Sequence, residues 1–177
     1  MKKMSAAQLT KLAMMTAISI VLLAIVRIPF PPAPFLVYDP ADLPIYITAF
    51  AYGPVSGLLV TLIVSLIQAF AMGGDGLYGF LMHFVATGIV AVVIGLMYKH
   101  NKTKKQAIKA LVVGVLLTLI VMAGMNLLVT PFYMGVERKA VLAMLPTVIL
   151  PFNLLKAGLN SLLTFLLYKR ISGFLHK

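Results

Sequence analysis

The chain has 177 residues, of which 62% are apolar and 11% charged, and its mean hydropathy is +1.05. Soluble domains run nearer half apolar and a quarter charged, so a water-soluble enzyme and a disordered binder are both excluded. The formal charge of +11 does not indicate nucleic acid, because apolar runs separate the basic clusters and no aromatic residues interleave with them.

At roughly 20 residues per crossing, the length suits about six membrane helices in a single domain, residues 1–177. Without cysteine there are no disulfides, and nothing is implied about redox compartment. The first apolar run covers residues 12–26. No small-residue cleavage site follows it, so it reads as an uncleaved helix starting near Ser5 rather than a signal peptide. Residues 28–41 read IPFPPAPFLVYDPA. Pro29, Pro31, Pro32 and Pro34 forbid a helix there and predict a stiff, aromatic first loop. A short helix over 42–52 follows, with Asp42 as its expected N-cap, and Gly53-Pro54 breaks it. Spans are predicted over 55–72 and 77–98, joined by a tight turn at Gly73–Gly76. A basic segment, 99–109, leads to a span over 107–129 that ends at Thr130-Pro131. Residues 132–151 are mixed, with room for a short helix, and a last span covers 152–171. The expected fold is an all-α polytopic membrane protein: a six-helix bundle with a long first outer loop, its second helix too short to cross straight. No internal repeat suggests an inverted-repeat carrier.

Basic residues set the orientation. With both termini cytoplasmic, the inner side holds Lys2, Lys3, Lys11, Lys99, Lys102, Lys104, Lys105, Lys109, Lys169, Arg170 and Lys177, which is 11 of the 15, as the positive-inside rule requires of a plasma-membrane protein. Arg27, Arg138 and Lys139 fall outside, as do all four acids, Asp39, Asp42, Asp75 and Glu137. Nine of the ten prolines are also outer, four of them in Pro-Phe pairs. They form either an interfacial aromatic belt or stiff loops that cap a pocket.

Lys156 is left inside the last span, five positions in. A mid-bilayer lysine costs roughly 2.5–3.5 kcal/mol. At this depth it either snorkels to the outer headgroups or lines a wet cavity. Asn153 and Asn160, at i−3 and i+4, share its face and favour the cavity. Asn126, one turn from the expected end of the fifth helix, either glues helices or joins the same pocket, where an amide both donates and accepts. Thr130, Tyr133, Phe35 and Tyr38 would supply hydroxyls and flat walls. Thr61, Ser65 and Gln68 share one stripe and His83 and Thr87 another, but serines and threonines in membrane helices mostly satisfy backbone carbonyls. His83 reads as a buried hydrogen-bond partner, and Asp75 as a turn residue. Ala6, Thr10, Ala13, Ala17 and Ala24 form a small-residue strip on the first helix, suited to internal packing or to docking another membrane protein. Gly53 and Gly57 share the spacing but span a turn.

Several chemistries are missing. There is no P-loop and no H-E-x-x-H. G-x-S-x-G is absent too. With every acid in or beside an outer loop, a proton-driven carrier lacks its buried carboxylate. No cofactor or metal is expected.

In order and kind, these features resemble the substrate-binding S components of energy-coupling factor (ECF) vitamin transporters, most of all the riboflavin-specific branch. The resemblance rests on Ala13-x-x-x-Ala17, the loop running into Tyr38-Asp-Pro-Ala-Asp-Leu-Pro44, Ala51-Tyr-Gly-Pro-Val-Ser-Gly57 and Gly73-Gly-Asp-Gly76. It rests further on Asn126-x-x-x-Thr-Pro-x-Tyr133-x-Gly135 and Pro151-Phe-Asn-Leu-Leu-Lys156-Ala-Gly158. It implies a non-enzymatic six-helix subunit that captures riboflavin from outside. Asn126, Asn153 and Lys156 would touch the flavin, Thr130, Tyr133, Tyr38 and Asp75 would complete the site, and the first loop would act as a lid. Ala13 and Ala17 would dock on a transmembrane coupling subunit driven by two ATPase subunits, and the loaded subunit would topple in the membrane. The alternatives are the same fold for thiamine, pantothenate or folate, a stand-alone carrier, or a membrane enzyme.

Overall fold

A computed structural model describes residues 4–73 and 75–175. Lys2, Lys3 and Lys177, used above for orientation, lie outside the described residues, as does Gly74 of the tight turn. Among the described residues there are seven α-helices and a two-stranded ribbon: α1 (Ala6–Ile25), β1 (Ile28–Phe30), β2 (Ala33–Tyr38), α2 (Asp42–Tyr52), α3 (Pro54–Ala71), α4 (Gly76–Lys99), α5 (Lys104–Met134), α6 (Arg138–Met144) and α7 (Leu150–Leu175). A π-turn over Leu145–Ile149 joins α6 to α7 without a break. They run as one rod, which leaves the six helical elements expected. Five of them are long and apolar enough to cross a membrane; the exception is α2.

Ser5 caps α1, its hydroxyl accepting from the Gln8 N–H at 3.2 Å. Leu12, Met15, Thr16, Ser19 and Leu23 form the buried face of α1. Ala6, Thr10, Ala13, Ala17 and Ala24 all lie exposed, so the small-residue strip is not internal packing.

The first loop is more ordered than its prolines suggest. It folds into an antiparallel hairpin in which Ile28 pairs with Tyr38 and Pro29 with Val37. A two-stranded ribbon has only edges, so its prolines cost few ladder bonds. Phe30 packs against Phe152 at a ring separation of 5.5 Å, which ties the hairpin to the start of α7.

Every residue of α2 from Asp42 to Ala51 is buried. A short helix that is apolar all round belongs in a core, and α2 packs against α1, α3, α4 and α7. Ala41, not Asp42, holds its cap position, and no side chain caps it. Two glycines admit close neighbours. A Cβ on Gly57 would stand 2.8 Å from that of Ala49, and one on Gly95 would stand 2.9 Å from the Pro54 backbone. Gly57 therefore serves helix contact although its spacing partner Gly53 lies in the turn. At the basic end of the bundle, Phe50 packs against Tyr98 and Tyr168 at 4.5 and 5.3 Å.

The fifth helix does not stop at Thr130-Pro131. It carries Pro131 inside and ends at Met134, where Gly135 turns left-handed at φ 65° and the Val136 N–H returns to the Pro131 carbonyl at 3.2 Å. Proline is tolerated within membrane helices when neighbours take up the freed backbone groups. Asn126 thus sits two turns, not one, from the helix end.

Candidate functional site

Lys156 is the place to begin. Its helix, α7, starts at Leu150, six residues earlier and about 9 Å away at 1.5 Å per residue, close to the five positions expected. It does not snorkel. Its Nζ donates to Asp39 Oδ2 at 2.7 Å, and both side chains are largely buried. Asp39 and Asp42, expected on the outer side, are instead enclosed in the bundle at 3% and 5% exposure. An ammonium buried in hydrocarbon needs a counter-ion, and the chain dips β2 and the start of α2 inward to supply one. The expectation that the chain lacks a buried carboxylate is therefore overturned, although both acids keep to the end of the bundle opposite the basic one.

The ion pair belongs to a wider network. Asn160 Nδ2 donates to the Asp39 carbonyl at 3.3 Å and to Asp42 Oδ2 at 3.4 Å. Asp42 Oδ1 lies 3.0 Å from His83 Nε2 and accepts from Thr87 Oγ1 at 3.1 Å. His83 Nδ1 lies 2.7 Å from Ser65 Oγ. A serine, a histidine and an aspartate thus stand in line, but Ser65 is fully buried and does not line the cavity, so no solute reaches its hydroxyl. Burial first, then the Asp39 carboxylate, holds the Tyr38 phenol above its usual range. It stays a donor, reaching Asn160 Oδ1 at 3.5 Å.

Above the network opens a cavity of about 180 Å³. Asn126, Thr130, Asn153 and Lys156 line it, with Asp75 and Tyr133 at the rim. Those six sequence-predicted residues come together. Tyr38 does not join them: it is not a wall residue but braces Asn160 underneath. Phe35 of the hairpin lines the mouth and is 46% exposed. Asp75 takes a left-handed conformation at φ 63°, as its turn requires, and accepts from Tyr133 Oη at 2.8 Å across the rim.

The amides are held in place. Asn126 Nδ2 donates to the Met122 carbonyl at 2.8 Å while its Oδ1 accepts from Thr130 Oγ1 at 2.9 Å. Asn153 Nδ2 donates to the Ile149 carbonyl at 2.8 Å, in the π-turn. Such turns leave backbone carbonyls short of partners and recur at functional sites. Of the weaker stripes, Thr61 satisfies the Gly57 carbonyl at 2.8 Å as expected, whereas Gln68, His83 and Thr87 line the cavity. Sequence reasoning missed Asp42 as a wall residue, along with Tyr46, Thr118 and Met122. Its available signal was Lys156 itself, which demanded an acid.

Fold and site together define a multi-pass membrane protein with a capped cavity, open on one side and walled by fixed amides, a paired ammonium and aromatic rings. A sequence model of the family described as ECF transporter, substrate-specific component, matches residues 7–168, and the chain belongs to that family. It is 30% identical to a riboflavin transporter, RibU, of Staphylococcus aureus over 96% of this chain and 93% of that one. It is 28% identical to RibU of Streptococcus thermophilus, over 96% of this chain and 85% of that one. A solved structure described as the S component of a bacterial ECF transporter superposes with a TM-score of 0.81 at 29% identity, covering 96% of this chain and 97% of the other.

Proposed function

We propose that this chain is the riboflavin-binding S component of an ECF-type importer, non-enzymatic in itself, which captures the vitamin from the outer side of the cell membrane with both termini in the cytoplasm. The observation that carries the reading is Lys156, turned into the cavity wall by Asp39 instead of toward lipid. Asn126, Asn153 and Lys156 would grip the flavin ring. Thr130, Tyr133 and Asp75 would complete the wall and rim, the hairpin would serve as the lid, and Tyr38 would act from beneath through Asn160. The relatives named as riboflavin transporters support this ligand. Beneath the cavity, Phe50, Tyr98 and Tyr168 fill the basic end of the bundle, so the ligand would leave by the mouth it entered. That favours a subunit that reorients on a partner over a channel. Ala13 and Ala17, exposed on α1, would dock on the coupling subunit, with two ATPase subunits driving the cycle.

The test is purification in detergent, an absorbance spectrum and a thermal-shift panel. A flavin spectrum and stabilisation by riboflavin alone are expected; stabilisation by thiamine, pantothenate or folate instead refutes the ligand. Lys156→Ala and Asn126→Ala should each weaken flavin binding by more than about 1 kcal/mol, as for a lost hydrogen bond to a buried group. Ala13→Trp with Ala17→Trp should leave binding intact and block uptake in cells carrying the coupling and ATPase subunits. Surviving uptake removes the docking role.

A further inference from the structure

Polar groups in the cavity wall are nearly all committed to protein partners. Asn126, Asn153, Lys156, His83, Thr87 and Asp42 each make the hydrogen bonds given above. Gln68 does not. Its Oε1 is the one buried side-chain polar atom without a hydrogen-bond partner among the described residues. Gln68 is also the lone α3 residue in the wall. Leaving such an atom unpaired costs about 1–3 kcal/mol, a cost relieved when the Gln68 side chain, itself in the wall, turns its amide onto a ligand hydrogen.

Its height in the cavity selects which part of the ligand that is. Gln68 lies three residues before the end of α3 at Ala71, and the rim residue Asp75 follows just beyond. Asn126 lies eight residues inside the end of α5, and Lys156 reaches down to the enclosed Asp39. A ring gripped by the deep groups directs its side chain toward the mouth, past Gln68. We propose that Gln68 is a specificity-determining residue whose amide hydrogen-bonds a hydroxyl of the flavin's polyol chain. The inference rests on the riboflavin reading and deepens it. Sites that hydrogen-bond a ligand hydroxyl discriminate strongly against analogues lacking it, because the site's own polar group is then left unpaired.

The experiment compares riboflavin with lumiflavin, which has the same ring and a methyl group in place of the polyol, by flavin-fluorescence titration of wild-type protein and Gln68→Met. Methionine keeps the volume and removes the amide. Riboflavin affinity should fall at least tenfold while lumiflavin affinity stays within twofold. Unchanged riboflavin affinity overturns the proposal, and so does an equal loss for both ligands, which would put Gln68 on the ring or in the framework. Should Gln68→Met fail to fold, Gln68→Asn, whose amide is withdrawn by one methylene, carries the same comparison. Wild-type protein that binds neither flavin refutes the riboflavin reading itself, a result distinct from either of these.

Discussion

The two ends of the bundle are built on opposite plans. At the basic end α2, α3, α4 and α7 close up around small residues and rings, with Gly57 against Ala49, Gly95 against Pro54, and Phe50 between Tyr98 and Tyr168. At the other end the same helices stand apart, and polar groups fill the space between them: Lys156, Asp39, Asn160, Asp42, His83 and Ser65 in one connected network. Tight apolar packing supplies a rigid floor, and the polar network fixes side chains above it at positions a ligand can use. Helix α2 links the halves, its first residue in the network and Phe50, near its other end, in the aromatic cluster.

The largest effect should come from Asp39→Ala. It removes the carboxylate bonded to Lys156 and leaves only Asp42 nearby as counter-charge; breaking a buried pair typically costs about 3–5 kcal/mol. Both thermal stability in detergent and flavin affinity should fall, whereas Asp39→Asn, which keeps a hydrogen-bond acceptor, should lose less of each. Equal losses in the two variants would show that charge, not shape or the hydrogen bond, holds the lysine. Phe50→Ala should cost about 3–5 kcal/mol of stability through the cavity it opens. Measured at a temperature where the protein remains folded, it should leave flavin affinity nearly unchanged. A tenfold loss of affinity would mean that the floor and the site are coupled, and the division into two halves would fail. Tyr133→Phe should be the mildest, removing one exposed hydrogen bond to Asp75 worth about 0.5–1.5 kcal/mol. Its mark should be faster dissociation of flavin in stopped-flow traces, since the bond crosses the mouth rather than the wall.

Much of this architecture was readable along the chain. The order of helices, the Ser5 start, the breaks at Gly53-Pro54 and Gly73–Gly76, and the membrane class all follow from apolar runs and their punctuation. Asn126, Thr130, Asn153, Lys156, Tyr133 and Asp75 were legible because a polar group in an apolar span, or a short motif shared with a family, stands out in one dimension. The hairpin was hidden because four prolines argue against helix without arguing for any pairing. Helix α5 ran past Pro131 because its neighbours, not its own propensity, decide whether a proline ends a membrane helix. Tyr38 was placed in the wall by its aromatic character, but its neighbours Asp39 and Asn160 drew it beneath.

The sequence by itself determined that this chain lives in a membrane, where its helices begin, and that Lys156 is an expensive residue with a purpose. Only the tertiary structure decided what offsets that expense. The partner, Asp39, is 117 positions away in the chain, in a segment whose composition reads as an outer loop. Hydropathy is a local sum, and a counter-ion brought from a distant loop contributes nothing to it. A buried charge is stable only where a three-dimensional path brings its partner within hydrogen-bond reach.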